Sequence, residues 1–184
     1  DENVPAFVDR AHAYVNVPEG FIGLDYIQLA NNDKSVADFG LEIEIDSDGI
    51  LYLLLDHRVG DNTNGTPPMP ELVPDMGWVT DMGFTVNGAQ IDIDEGANGD
   101  VNQFFTVYEL AVEADLYTLG AQNDGGGRNM YGLIFDPDGE VTDCPVGLNT
   151  TAEFGDITLN WTNKATPTAL ELTRNGDVLE GAEV

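Results

Sequence analysis

One cysteine, two histidines, two serines and six basic residues are all that this chain of 184 residues offers of those types. The single Cys144 excludes an internal disulfide and any zinc cluster built on cysteines. It reads as a small buried residue or, in an oxidising compartment, as a bridge between two chains. With His12, His57, Ser35 and Ser47 the only residues of their kinds, a nucleophilic triad has few parts to draw on. Paired carboxylates for glycoside cleavage exist in any acidic chain and single out nothing here. The expectation is a protein that is not an enzyme. Arg10, Lys34, Arg58, Arg128, Lys164 and Arg174 are scattered through the sequence, whereas binding nucleic-acid phosphates or an anionic membrane takes clustered Lys and Arg. No apolar run approaches the roughly 18 residues of a membrane-spanning helix.

What is abundant is acid. Asp and Glu number 34, for a formal charge of −28. Copies carrying that charge repel one another at low ionic strength, so assembly would need divalent cations, salt, or extensive apolar and backbone contacts. The same charge fits a saline or mineral-rich habitat. With 42% hydrophobic residues, the chain can build one large β-sandwich and a smaller appendage. It begins Asp1-Glu-Asn-Val without an initiator Met, which reads as a trimmed start from which a secretion signal has gone. The expected location is therefore extracellular or the cell surface.

Periodicity points to strands almost throughout. Leu41, Ile43 and Ile45 alternate with Glu42, Glu44 and Asp46, a half-buried strand that turns at Ser47-Asp-Gly49. Ile50-Leu-Tyr-Leu-Leu-Leu55 is apolar on both faces, as a central strand covered on two sides must be. Residues 60 to 77 hold too many Gly, Pro, Asn and Asp for regular structure and predict a long loop. Further strands are expected at 83 to 86, 90 to 93, 104 to 113, 116 to 121 and 130 to 135, with a turn at Asp136-Pro-Asp-Gly139. Ala13 to Val17 also reads as a strand, free to pair in its own sheet or to reach into a neighbour. The expected organisation is an extended segment at 1–18, an antiparallel jelly-roll-type β-sandwich at 19–142, a linker at Asp143 to Pro145, and a partial domain at 146–184.

In that last segment Ile157, Leu159 and Trp161 alternate with Thr158, Asn160 and Thr162, placing Trp161 in the core. Ala169 to Arg174, then Asn175-Gly176, then Asp177-Val-Leu predict a hairpin on a two-residue turn. So few strands cannot cover their own apolar face. The missing strands would come from the rest of the chain or from another molecule.

Three features suggest chemistry. In Asp92-Ile-Asp-Glu-Gly-Ala-Asn-Gly-Asp100, Asp92, Asp94, Glu95, Asn98 and Asp100 gather hard oxygens in one loop, and Ca²⁺ takes about six to eight of them. The likeness to an EF-hand loop is loose, since the twelfth position is Gln103; a solvated acidic turn is the competing reading. In Gly120 to Tyr131, the amides and charges of Gln122, Asn123, Asp124, Arg128 and Asn129 with the ring of Tyr131 form a mixture that suits sugar hydroxyls and a stacked pyranose, although such loops also simply join strands. Trp78 reads either as a second sugar platform or as an anchor of the Pro-rich loop on the core. Asp56-His-Arg58 predicts an ion pair between Arg58 and an acidic neighbour. Asn64, Asn149 and Asn160 open glycosylation sequons.

Tyr26-Ile-Gln-Leu-Ala-Asn-Asn-Asp-Lys34, Leu51 to Val59, Gly77-Trp-Val-Thr-Asp-Met-Gly-Phe84 and Leu119 to Asp124 with Asn129-Met-Tyr-Gly132 together resemble β-sandwich modules of large secreted bacterial surface proteins of the planctomycete kind. Residues 145 to 180 are similar to the opening strands of fibronectin type III or immunoglobulin-like domains. Those resemblances imply an all-β chain, a spacer or assembly role, and no catalytic residues. The leading expectation is a structural subunit of a fibre, sheath or surface layer, joined head to tail with other copies by strand pairing. The alternative is a calcium-dependent carbohydrate-binding or adhesion module, with polysaccharide as its partner.

Overall fold

Ile50–Leu55 lies where a run apolar on both faces must lie, in the middle of a sheet. In a computed structural model that describes residues 1–96 and 98–139, and beyond them the backbone of strands 146–153, 156–162, 173–174 and 177–178, this run belongs to β4 (Gly49–Asp56). The other strands of the first 140 residues are β1 (Ala13–Val15), β2 (Asp25–Ile27), β3 (Leu41–Ile45), β5 (Thr85–Asp94), β6 (Gln103–Val112), β7 (Asp115–Leu119) and β8 (Gly132–Asp136). Six of them form one sheet in the order β1-β5-β6-β4-β8-β2, and β3 with β7 forms a second. All these pairings are antiparallel. The chain is an all-β sandwich. Leu53, Leu54 and Leu55 are fully buried, and the inward Ile43, Ile45 and Leu119 of the smaller sheet join the same core. Glu42 and Glu44 alternate outward, as the period of two requires.

The two strands expected at 83–86 and 90–93 are one, because β5 runs through with its register shifted between Val86 and Gln90. That interruption is a bulge, and its Asn87-Gly88 reads locally as a turn. The Pro-rich loop contains short 3₁₀ turns at Pro70–Leu72 and Pro74–Met76 and then α1 (Gly77–Asp81). Residues 1–18 fold onto their own unit. Tyr14 donates its backbone N–H to Val4 O at 3.0 Å, and β1 pairs with β5 through Tyr14↔Ile93. Of the two places open to this segment, its own sheet is the one it occupies in this structure.

The chain divides into two units, 1–140 and 141–184. In the second, β9 (Val146–Glu153) pairs with β10 (Asp156–Thr162), with Asn149 opposite Asn160, and β11 (Thr173–Arg174) pairs with β12 (Asp177–Val178). The readings of Cys144, of the linker, of the turn Asn175-Gly176, and of the Trp161, Asn149 and Asn160 side chains lie outside the described residues.

Candidate functional site

Register places several chain segments at one end of the large sheet. Asp56 at the end of β4 stands opposite Phe105, near the start of β6; Leu54 is opposite Gly132, the first residue of β8; Ala13 of β1 is opposite Asp94 of β5. The loops at 5–12, 28–35, 56–62, 95–102 and 120–131 therefore converge, and their polar side chains interlock.

Asp56 is the hub. It is fully buried. Its Oδ1 accepts the Arg58 backbone N–H and Nε, each at 2.9 Å, and its Oδ2 accepts Arg58 Nη2 and the Asn129 backbone N–H, the latter at 2.8 Å. Arg58 also reaches Glu95 Oε1 at 3.3 Å. Burial works against the Arg58 charge, but the hydrogen bonds and fields of Asp56 and Glu95 outweigh it and raise its pKa. Asn129 donates to Glu95 Oε1 at 2.9 Å and accepts from Asn31 Nδ2 at 3.1 Å, while Met130 N–H donates to Asn31 Oδ1 at 2.8 Å. Asp9 accepts the backbone N–H groups of Asn31 and Asn32 at 2.6 and 3.2 Å. Burial pushes the Asp9 pKa up, yet these amides and Arg10 prevail and hold it below the usual value. His57 Nε2 lies 2.9 Å from Thr106 Oγ1, tying the loop after β4 to β6.

Of the residues expected to hold sugar, Gln122, Asn129 and Tyr131 are turned inward, while Trp78, Asn123, Asp124 and Arg128 are partly exposed. Gln122, Asn129 and Tyr131 are 0%, 2% and 0% exposed. Gln122 bridges the two arms of its own loop, donating to Asn129 O and accepting the Tyr131 N–H, both at 2.9 Å. Tyr131 gives its hydroxyl to Gly120 O at 3.1 Å. Asp124 accepts the Gly60 N–H at 2.8 Å and pairs with Arg128 at 3.1 Å, and Asn123 donates to Asp75. Trp78 is half-buried, donates its indole N–H to Ala121 O at 3.0 Å, and packs edge-on against Tyr131 and Phe84. It is the anchor of the Pro-rich loop. The loop 120–131 is thus a structural plug: in a sandwich with so many polar loops at one end, its amides satisfy buried backbone groups that water cannot reach. The stacking face expected of Tyr131 is inside the protein.

The acidic loop is likewise tied to protein donors. Asp92 accepts Asn16 Nδ2 and Gln90 Nε2, both at 2.7 Å. Asp94 accepts the N–H groups of Gly96 and Gly99 at 2.8 and 2.6 Å. Asn98 donates to Asp100 at 2.9 Å, and Glu95 faces Arg58 and Asn129. Among the described residues no three His, Cys, Asp or Glu side chains group as a metal site would require. Asn64 is exposed, in the loop after β4. No described helix is long and apolar enough to cross a membrane.

His12 belongs to this end of the molecule and carries no motif that singles it out; Asn31 and Lys34 also belong here and lie in the segment Tyr26 to Lys34, which carries the resemblance but assigns them no role. The one sequence signal that finds Lys34 is rarity, since Arg10, Lys34, Arg58 and Arg128 are the only basic residues before residue 141.

No protein-family model matches the chain, and no curated protein matches it. Among solved structures, a β-glucuronidase from glycoside hydrolase family 2 is similar over 75% of this chain and 13% of its own, with a TM-score of 0.52 and 16% sequence identity. At that identity the likeness shows the fold alone, the all-β sandwich. The chain corresponds to a small part of that enzyme's length.

Proposed function

We propose that this chain is a non-catalytic structural module of an extracellular or cell-surface assembly, akin to the β-sandwich modules of secreted bacterial surface proteins, and that its second unit is where strand pairing with other copies occurs. The observation that supports this reading is a contrast between sheet edges. In the large sheet of the first unit the edge strands β1 and β2 have three residues each, a length that blunts edge-to-edge pairing, and the two-stranded β3–β7 ladder of five-residue strands is covered on its inner face by the common core. In the second unit, β9 and β10 run for eight and seven residues with no third strand among the described residues. A lone two-stranded ladder is marginal in water, and an added strand supplies both hydrogen bonds and cover. We place the carbohydrate-binding alternative second because three of its residues, Gln122, Asn129 and Tyr131, are buried.

Sedimentation velocity and electron microscopy on the full chain, with and without millimolar calcium, test this. Concentration-dependent association that is abolished by Thr158→Pro in β10 is the expected result. A monomer that persists at high protein concentration in both conditions overturns it.

A further inference from the structure

Asn-Gly occurs at Asn64, Asn87, Asn98 and Asn175, and the first three of these pairs lie among the described residues. With no side chain on the glycine to crowd it, the backbone nitrogen after such an asparagine can reach the asparagine's own Cγ. The fold treats the three pairs differently. Asn87, in the bulge of β5, donates through Nδ2 to Glu109 and accepts the Ala89 N–H on Oδ1 at 3.3 Å. Asn98 donates to Asp100 Oδ2 at 2.9 Å and accepts the Asp100 N–H at 3.3 Å, while the Gly99 N–H goes to Asp94 Oδ2 at 2.6 Å. Each of these two carboxamides is held at both its oxygen and its nitrogen.

Asn64 is held at neither. Thr63, Asn64 and Gly65 are exposed, and among the described residues the Asn64 carboxamide makes no hydrogen bond. Its backbone, by contrast, is fixed. The Thr63 N–H and Thr66 Oγ1 donate to Asp61 at 2.9 and 2.7 Å, the Gly65 N–H donates to Thr63 Oγ1 at 3.0 Å, and Asn64 O lies 3.4 Å from His57 Nδ1. The Gly65 nitrogen is thus tied only to an exposed neutral hydroxyl, which water replaces at little cost. The Gly99 nitrogen is tied to a carboxylate, a stronger bond whose charge also opposes loss of the proton.

We propose that Asn64 is a site of covalent self-modification, where the chain closes a succinimide and opens it to an aspartyl or isoaspartyl residue. Gly65 N attacks Asn64 Cγ, the Cγ–Nδ2 bond breaks, and Nδ2 leaves as ammonia with the proton from Gly65. Water then opens the ring, so that the amide is exchanged for an acid with one water consumed and one ammonia released. Opening at Cγ restores the ordinary main chain; opening at the main-chain carbonyl of residue 64 leaves the main chain running through Cγ. Either product puts another negative charge beside Asp61, in a chain already at −28. The isoaspartyl form also lengthens the loop that Asp61 clamps. Neither product accepts a glycan, so conversion removes the sequon Asn64-Gly-Thr66.

Ageing the folded full chain at mildly alkaline pH tests the proposal, with peptide mapping by mass spectrometry and isoaspartyl methyltransferase labelling to separate the two acids. Asn64 is expected to convert first, with Asn87 and Asn98 slower by about tenfold or more, since each must break hydrogen bonds before its Cγ can be attacked. In urea that unfolds the chain, the three rates converge. Gly65→Ala, whose Cβ would meet only Thr63 Oγ1 at 3.4 Å, suppresses conversion at Asn64 and leaves Asn98 unchanged. Conversion of Asn87 or Asn98 as fast as Asn64 in the folded chain overturns the proposal. So does an Asn64 that converts in urea but persists in the fold, or a Gly65→Ala protein that converts there like the parent. The ageing of the unaltered chain needs no variant to fold.

Discussion

Asp56 and Arg58, two residues apart, form a forked ion pair in which the Asp56 side chain is fully buried and the Arg58 side chain is 16% exposed. The geometry follows from position. Asp56 is the last residue of β4, and its Oδ1 also accepts the Arg58 backbone N–H, so one carboxylate shapes the strand exit and fixes the cation that covers it.

Breaking one side of that pair should cost far more than removing both. Arg58→Met leaves Asp56 buried without its cation and is expected to lose about 3–5 kcal/mol of stability, whereas the double change with Asp56→Asn recovers part of the loss. Urea denaturation of the parent, the two single variants and the double variant measures this as a cycle. Simple additivity would show that the pair is not coupled.

Gly120 lies against the indole of Trp78. A Cβ at that position would come 2.5 Å from Trp78 Cδ1, so Gly120→Ala must displace the ring that anchors the Pro-rich loop. The expected cost is about 1–3 kcal/mol, with a change in tryptophan fluorescence as the indole N–H leaves Ala121 O. Unchanged emission and stability would mean that the ring has room to move.

Alternation and breakers made the strands legible, because a half-buried sheet imposes a period of two and β4 between two neighbours imposes none. Leu41–Ile45 and Ile50–Leu55 could be read residue by residue for that reason. The polar end could not. Its contacts join Asn31 to Asn129 and Asp56 to Asn129, residues far apart in sequence whose meeting depends on strand order. Gln122 and Tyr131 misled for a related reason: a polar loop over a core must turn amides inward to satisfy backbone groups, and composition does not distinguish an inward amide from an outward one. The Arg58 pair was legible because its acid is two residues away.

Asp94 caps the β5–β6 loop through the N–H groups of Gly96 and Gly99. Asp94→Ala removes both acceptors and is expected to cost about 1–3 kcal/mol, while Asp100→Ala, whose carboxylate is exposed and bonded within the loop, costs less than about 0.5 kcal/mol. Thermal melts in the presence of a chelator check the order. Equal losses would indicate that the loop is held by something other than its cap.

Alkaline stability should report on the buried tyrosines. Burial pushes Tyr108 up to about 12 and raises Tyr14 and Tyr131 as well. A folded pKa above the unfolded value of 10.0 means that the folded protein keeps protons the unfolded chain has lost. Their stabilisation is whole below pH 10 and falls as pH rises toward the folded pKa, by about 1.4 kcal/mol per pH unit for each tyrosine. Lys34 acts in the opposite direction. Its lowered pKa adds stability as pH rises toward its unfolded value of 10.5, so the absolute slope mixes the two. The difference between the parent and Tyr14→Phe cancels the lysine. Urea denaturation at several values between pH 9 and 11 should give parallel curves below the tyrosine range and, above it, a shallower decline for Tyr14→Phe by about one tyrosine's share. Identical slopes would show that the Tyr14 hydroxyl ionises as freely in the fold as in the unfolded chain.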